Sequence, residues 1–115
     1  MDILFTVNNK PPYKQSPADR TERINQAKYK ESLIAEARNH LAEPAAGPLK
    51  MEIDVRRYRA AMDGANIIGG IADTLQDIAY SNDRQLVEIR YLERKATADS
   101  YTVRILSVNN ARELS

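Results

Sequence analysis

The sequence predicts an α+β fold, a small mixed β-sheet with two helices packed on it, in the order strand–helix–strand–helix–strand–strand. Three observations carry this. Leu49, Met51, Ile53 and Val55 alternate with Lys50, Glu52, Asp54 and Arg56, the period of a strand with one apolar face. A stretch rich in Ala, Glu, Lys, Arg and Gln follows Ser16-Pro17 and reads as helix. Ile67, Ile68, Ile71, Leu75 and Ile78 recur at helical spacing.

The elements follow in chain order. Ile3, Phe5 and Val7 alternate with Leu4 and Thr6, a first strand over about residues 2–7. Pro11-Pro12 stops it and holds an extended loop bearing Lys10, Tyr13 and Lys14. Ser16 caps the first helix, with Pro17 at its first position and Asp19 completing a box-like pattern. That helix is expected to reach about Ala42, with Ile24, Ala27, Tyr29, Leu33, Ile34, Ala37 and Leu41 as its apolar stripe. His40, the one histidine, lies near its end with no partner ligand, so it carries dipole or solvent contacts rather than chemistry. Glu43 to Pro48 is a turn, and the alternating strand after it runs into the basic-aromatic cluster Arg57-Tyr58-Arg59. The second helix follows Asp63, and its Gly69-Gly70 pair costs about 1 kcal/mol per glycine relative to alanine, which implies close packing against a backbone, either the sheet or a dimer partner. Ser81-Asn82-Asp83 turns the chain into a strand carrying Val87, Ile89 and Tyr91. Residues 95–100 connect it as a hairpin to the last strand, with Tyr101, Val103 and Ile105, and a loose tail is expected from about Asn109.

A chain of 115 residues suits one domain spanning 1–115. It contains no cysteine, which rules out disulfides and thiolate metal sites and fits a reducing, cytoplasmic setting. No apolar run approaches the roughly 20 residues of a membrane helix, and the acidic start of MDILFTV is unlike a signal peptide. With a formal charge of +1, any nucleic-acid partner must meet a local basic patch rather than the whole field.

Chemistry concentrates in Arg56–Leu86. Asp63 and Asp83 stand in the turns flanking the second helix, which is too short to keep them far apart. At 100° per residue, Asn66 and Asp73 fall within about 20° of each other, and Asp63 within about 80° of Asp73, on one polar edge. Clustered carboxylates without histidine or cysteine favour a hard cation such as Mg²⁺, and such an ion beside basic residues suits phosphodiester hydrolysis. Each acid also has a structural use: Asp63 as a helix cap, Asp73 as a surface residue, Asp83 as a turn residue. Spacing does not decide between these uses.

The chain resembles the RusA-type Holliday-junction resolvases. Asp63-Gly64-Ala65-Asn66-Ile67-Ile68-Gly69 stands where that family carries D-x-D-N-x-x-K, Asp73-Thr74-Leu75 matches its D-A-L, and Asn82-Asp83-Arg84-Gln85 its D-D-x-Q. Lys10-Pro11-Pro12-Tyr13-Lys14 is similar to its proline-rich opening loop. Ala65 replaces the second aspartate, Gly69 the catalytic lysine, and Asn82 the first acid of the D-D pair.

The resemblance implies a homodimeric, Mg²⁺-dependent endonuclease, with Mn²⁺ as an alternative ion, acting on four-way or other branched DNA in recombination and repair. It implies no membrane partner and a cytoplasmic protein, nucleoid-associated or phage-encoded. Asp63 and Asp83 would hold the metal and, with Asp73, form the catalytic acids; Asn66 would orient metal or water. Lys10, Lys14, Arg56, Arg57 and Arg59 would contact phosphates, a role that needs no base reading. Arg59 or Arg84 would replace in space the charge absent at Gly69. Losing a ligand and a lysine implies impaired cleavage, so a non-catalytic branched-DNA-binding dimer stands as the alternative. A protein-interaction module is a third reading, supported by the near-neutral charge alone.

Overall fold

A computed structural model describes residues 1–59 and 63–108; the tail from Asn109 lies outside the described residues. The chain folds as β1 (Asp2–Val7), α1 (Arg20–Arg38), β2 (Leu49–Arg57), α2 (Gly64–Leu75), a 3-10 turn (Asp83–Gln85), β3 (Leu86–Lys95) and β4 (Ser100–Ser107). This is the expected order and the expected α+β class. The four strands form one mixed sheet in the order β1-β4-β2-β3. β4 lies antiparallel to both β1 and β2, while β3 runs parallel to β2. A parallel pair cannot be joined by a tight turn, and α2 supplies the crossover between β2 and β3.

Alternation along the strands builds the core. Leu49, Met51, Ile53 and Val55 are all buried under the helices. Met51, Ile53 and Val55 sit opposite Ile105, Val103 and Tyr101 of β4, which in turn oppose Ile3, Phe5 and Val7 of β1. Leu33 and Ala37 from α1, with Ile67, Ile71 and Leu75 from α2, close this layer and are fully buried. The other face is mostly charged, with Leu4 and Leu92 exposed on it, as one-sided antiparallel packing allows. Arg104 bridges Asp2 (2.7 Å) and Glu52 (3.3 Å), Arg90 reaches Glu52 (3.5 Å), Lys50 pairs with Glu88 (3.4 Å) and Arg94 with Asp54 (2.6 Å).

Several expectations are corrected. β3 and β4, expected as a hairpin, are not neighbours, because β2 lies between them in the sheet. α1 starts at Arg20, capped by Asp19, whose carboxylate accepts from the Glu22 N–H at 2.8 Å, and it ends at Arg38 rather than near Ala42. Ser16-Pro17 precedes it as loop. The stripe also shifts: Ile24 is 46% exposed and Ala27 is exposed, while Gln26 is buried. The first turns of α1 pack on the Tyr13 loop rather than the sheet, and that loop needs an amide. α2 stops at Leu75, because the chain then turns through Asp77 in the left-handed region (φ 71°), which leaves Ile78 outside the helix. Val87 and Ile89 are exposed, since β3 is an edge strand that the helices only partly cover. His40 stacks on Phe5, ring centroids 5.5 Å apart, instead of simply facing solvent.

Candidate functional site

An open cleft of about 500 Å³ lies between the Tyr13 loop, the first half of α1, the C-terminal end of β2 and the start of α2. Lys10, Arg57 and Arg59 bring positive charge to it, and Asp63 and Asn66 line it at the N-terminus of α2. Asp19, Glu22 and Asp99 also line it, but each is committed locally. Asp19 caps α1, Glu22 accepts from the Tyr13 hydroxyl (2.8 Å) and the Ala18 N–H, and Asp99 accepts from the Tyr58 N–H.

Asp63 adopts extended backbone and caps α2. Its Oδ1 accepts from Ala65 N (3.0 Å) and Asn66 N (3.4 Å), which leaves Oδ2 outside the cap. The helix N-terminus favours negative charge here. Gly64 follows because a Cβ there would lie 3.0 Å from the Tyr91 ring, so β3 and the first turn of α2 touch closely. Burial pushes the Tyr91 phenol well above its ordinary range, with the Glu93 carboxylate adding to the shift, and its hydroxyl donates to Glu93 at 3.2 Å. Glu93 in turn lies 3.0 Å from Arg57 Nε, an ion pair with both side chains about four-fifths buried. Nε is misaligned for a directed hydrogen bond, so this contact is mainly coulombic. Arg57 Nη1 donates to the Arg59 carbonyl (2.9 Å), and the Arg59 guanidinium lies over the Tyr58 ring at 5.6 Å. β3 therefore sets the arginine that β2 delivers to the cleft.

Not every expected residue is gathered here. Arg56, one position from Arg57, points to the opposite face, where it donates to Ser100 and Thr102 (2.8 Å each). Strand period alone separates the two arginines. Asp73 lies further along α2 in an adjoining groove and pairs with Lys14 (3.6 Å). Gly69 faces the Lys14 stem: a Cβ there would lie 3.0 Å from its Cδ and 3.2 Å from its Cβ. The side chain over Gly69 is thus that of Lys14, rather than the expected Arg59 or Arg84.

Asp83 opens the 3-10 turn before β3, where Asn82 caps and Gln85 completes the box. All four hydrogen-bonding positions of the Gln85 amide are used: it accepts from Ser81 N and Asn82 N (3.1 Å each) and donates to the Ala45 and Gly47 carbonyls (2.9 Å each). Asp83 also bears on Tyr80, whose buried hydroxyl donates to the Ala72 carbonyl near the end of α2. Asp63 and Asp83 consequently lie toward opposite ends of α2, whose 12 residues span about 18 Å. Among the described residues, no three His, Cys, Asp or Glu side chains converge as a metal site within one chain.

Sequence reasoning missed Tyr91 and Glu93 as supports of the cleft. Their parity with Ile53 and Val55 across the β2–β3 register was the available signal, but that pairing exists only once the strand order is known.

Among the described residues, no helix is long and apolar enough to cross a membrane. A search of curated proteins found no match. Residues 8–106 match the family model described as endodeoxyribonuclease RusA, a span that takes in the Tyr13 loop, both helices, β2, β3 and all but the last residue of β4, and leaves out β1. The chain belongs to the RusA endodeoxyribonuclease family.

Proposed function

We propose that this chain cuts Holliday junctions or related branched DNA as a Mg²⁺-dependent homodimer, with Mn²⁺ able to substitute, and that its cleavage is slow. Family membership implies Holliday-junction resolvase activity on branched DNA and a general dependence on a divalent cation. The observation that carries the reading is the cleft that places Arg57, Arg59 and Lys10 around Asp63 and Asn66. Lys10, Lys14, Arg57 and Arg59 neutralise phosphates flanking the cut, and Glu93 fixes the Arg57 direction. Arg56, directed to the other face of the sheet, is not part of this set.

The donor chemistry suits a hard cation, since Asp63 and Asn66 offer oxygen alone. A single chain does not complete the set, because Ala65 is a methyl group and Asp83 is too remote for bonds of about 2.1 Å to one shared ion. Asp63 and Asp83 would therefore hold a shared ion only in trans, across two copies of the chain, with Asn66 orienting water. A bound divalent ion supplies an activated water and stabilises charge developing on the phosphate. Asp73, tied to Lys14, acts in this reading through that lysine.

The test is nicking of a labelled four-way junction with Mg²⁺ or Mn²⁺. Activity above an Asp63→Asn control supports the proposal, and activity equal to it refutes catalysis. Ala65 favours a second reading, a dimer that binds branched DNA without cutting. Salt-sensitive junction binding with no nicking is its expected signature.

A further inference from the structure

The loop that carries Lys14 is held unusually firmly for a segment outside helix and strand. Pro11 and Pro12 are buried. The Gln26 amide brackets Tyr13, accepting from its N–H (3.3 Å) and donating to its carbonyl (2.9 Å), and the Tyr13 hydroxyl donates to Glu22. On the other side the Lys14 N–H donates to the Asn66 carbonyl of α2 at 2.8 Å. Contact with α2 is backbone on backbone: a Cβ on Gly70 would stand 2.4 Å from the Pro12 carbonyl oxygen and 2.6 Å from Tyr13 Cα. Beside it, the bare Cα of Gly69 accepts the aliphatic stem of Lys14.

This arrangement fixes the stem of Lys14 while leaving its head exposed. The side chain is 68% exposed, and its nearest carboxylate, Asp73, is itself 52% exposed at 3.6 Å. An ion pair that open is weak and readily exchanged for another anion. α2 itself carries no cation between Gly64 and Leu75, so Lys14 supplies one to a helix that lacks it. We propose that Lys14, seated in the gap left by Gly69 and held there by the close approach at Gly70, is a positioned phosphate-binding cation whose place could equally be filled from position 69. The inference rests on the DNA-binding reading above and adds where one of its charges sits and what holds it.

The experiment is junction binding measured across a salt series with the full chain, without metal so that binding is read apart from cleavage. The variants are Lys14→Ala, the double variant Lys14→Ala/Gly69→Lys, and Lys50→Ala as a control on the opposite face. One lost phosphate contact lowers the log–log salt slope by about 0.9, equivalent to about eightfold weaker binding at 0.1 M salt. Lys14→Ala is expected to show that loss, the double variant to regain the wild-type slope, and Lys50→Ala to retain it. A wild-type slope in Lys14→Ala, or no recovery in a double variant that unfolds at the wild-type temperature, overturns the inference and leaves the DNA-binding reading standing. Wild-type protein that shows no salt-sensitive junction binding removes that reading and the inference together.

Discussion

Replacing Gly70 by alanine adds one methyl group to a helix and is expected to destabilise the protein, although alanine favours helix over glycine by about 1 kcal/mol. The new Cβ would meet the Pro12 carbonyl oxygen at 2.4 Å and Tyr13 Cα at 2.6 Å, about 1 Å inside ordinary contact. Both atoms are backbone, so the loop must lift from α2. Lifting breaks the bond from Lys14 N to Asn66 O and the two bonds between Tyr13 and Gln26. At about 1 kcal/mol each these cost about 3 kcal/mol, and Gln26 is left as a buried amide without its partner. Net destabilisation is about 2 kcal/mol, a fall in Tm of roughly 8–10 °C for a domain of this size. Gly69→Ala is the internal control. Its Cβ meets only the flexible Lys14 stem, which can give way, so stability should stay within about 1 kcal/mol of wild type. Thermal unfolding by circular dichroism reads both. Equal Tm values for the two variants, or a rise for Gly70→Ala, would refute the claim that backbone contact at Gly70 docks the loop.

Three further outcomes are expected. Burial and the Glu22 carboxylate push the Tyr13 phenol up to about 12, so its contribution is complete below the ordinary 10.0 and is lost as pH rises through the folded value. Ultraviolet titration of Tyr13→Phe should therefore lose a late-ionising tyrosine, and the stability gap between wild type and Tyr13→Phe should narrow as pH rises from 10.0 through the folded value. Tyr101→Phe should be neutral or stabilising by up to about 1 kcal/mol in chemical denaturation, because that buried hydroxyl has no partner among the described residues. Arg104 hydrogen-bonds Asp2 and holds its carboxyl below the ordinary 3.8. The resulting stability is present above 3.8 and fades as pH falls through the lower folded value, so the Tm gap between wild type and Arg104→Ala should narrow in acid.

Local periodicity made most of the elements readable. β2 announces itself through four alternating apolar residues, and Asp63 marks the start of α2 because a carboxylate before Gly-Ala-Asn suits the free N–H groups of a first turn. Of the glycine pair, Gly70 does meet backbone, though that of the Pro12–Tyr13 loop rather than the sheet or a dimer partner, while Gly69 meets the Lys14 side chain. Information that depends on distant pairing was not readable. Nothing local tells that β4 inserts between β1 and β2, or that β3 is an edge whose Val87 and Ile89 stay exposed. Gln26 drew no notice among the helix-favouring residues because its role depends on Tyr13, thirteen residues away and beyond the helix. Placing Asp83 required knowing which end of the sheet the crossover returns to, so Asp63 and Asp83 looked like neighbours when only α2 was considered. Arg56 and Arg57 were separable by parity, but treating the basic cluster as a unit concealed it.

The saturated amide of Gln85 has a dynamic consequence. One side chain ties the connection after α1, at Ala45 and Gly47, to the turn after α2, at Ser81 and Asn82. These two connections, separate in sequence, should open as one cooperative unit rather than fray independently. The amide protons of Ser81 and Asn82, although on exposed residues, should then exchange with solvent slowly and at matching rates. Asp83 rides on that unit, so its carboxylate is presented from a rigid corner of the molecule, while Asp63 is presented from the tip of a helix.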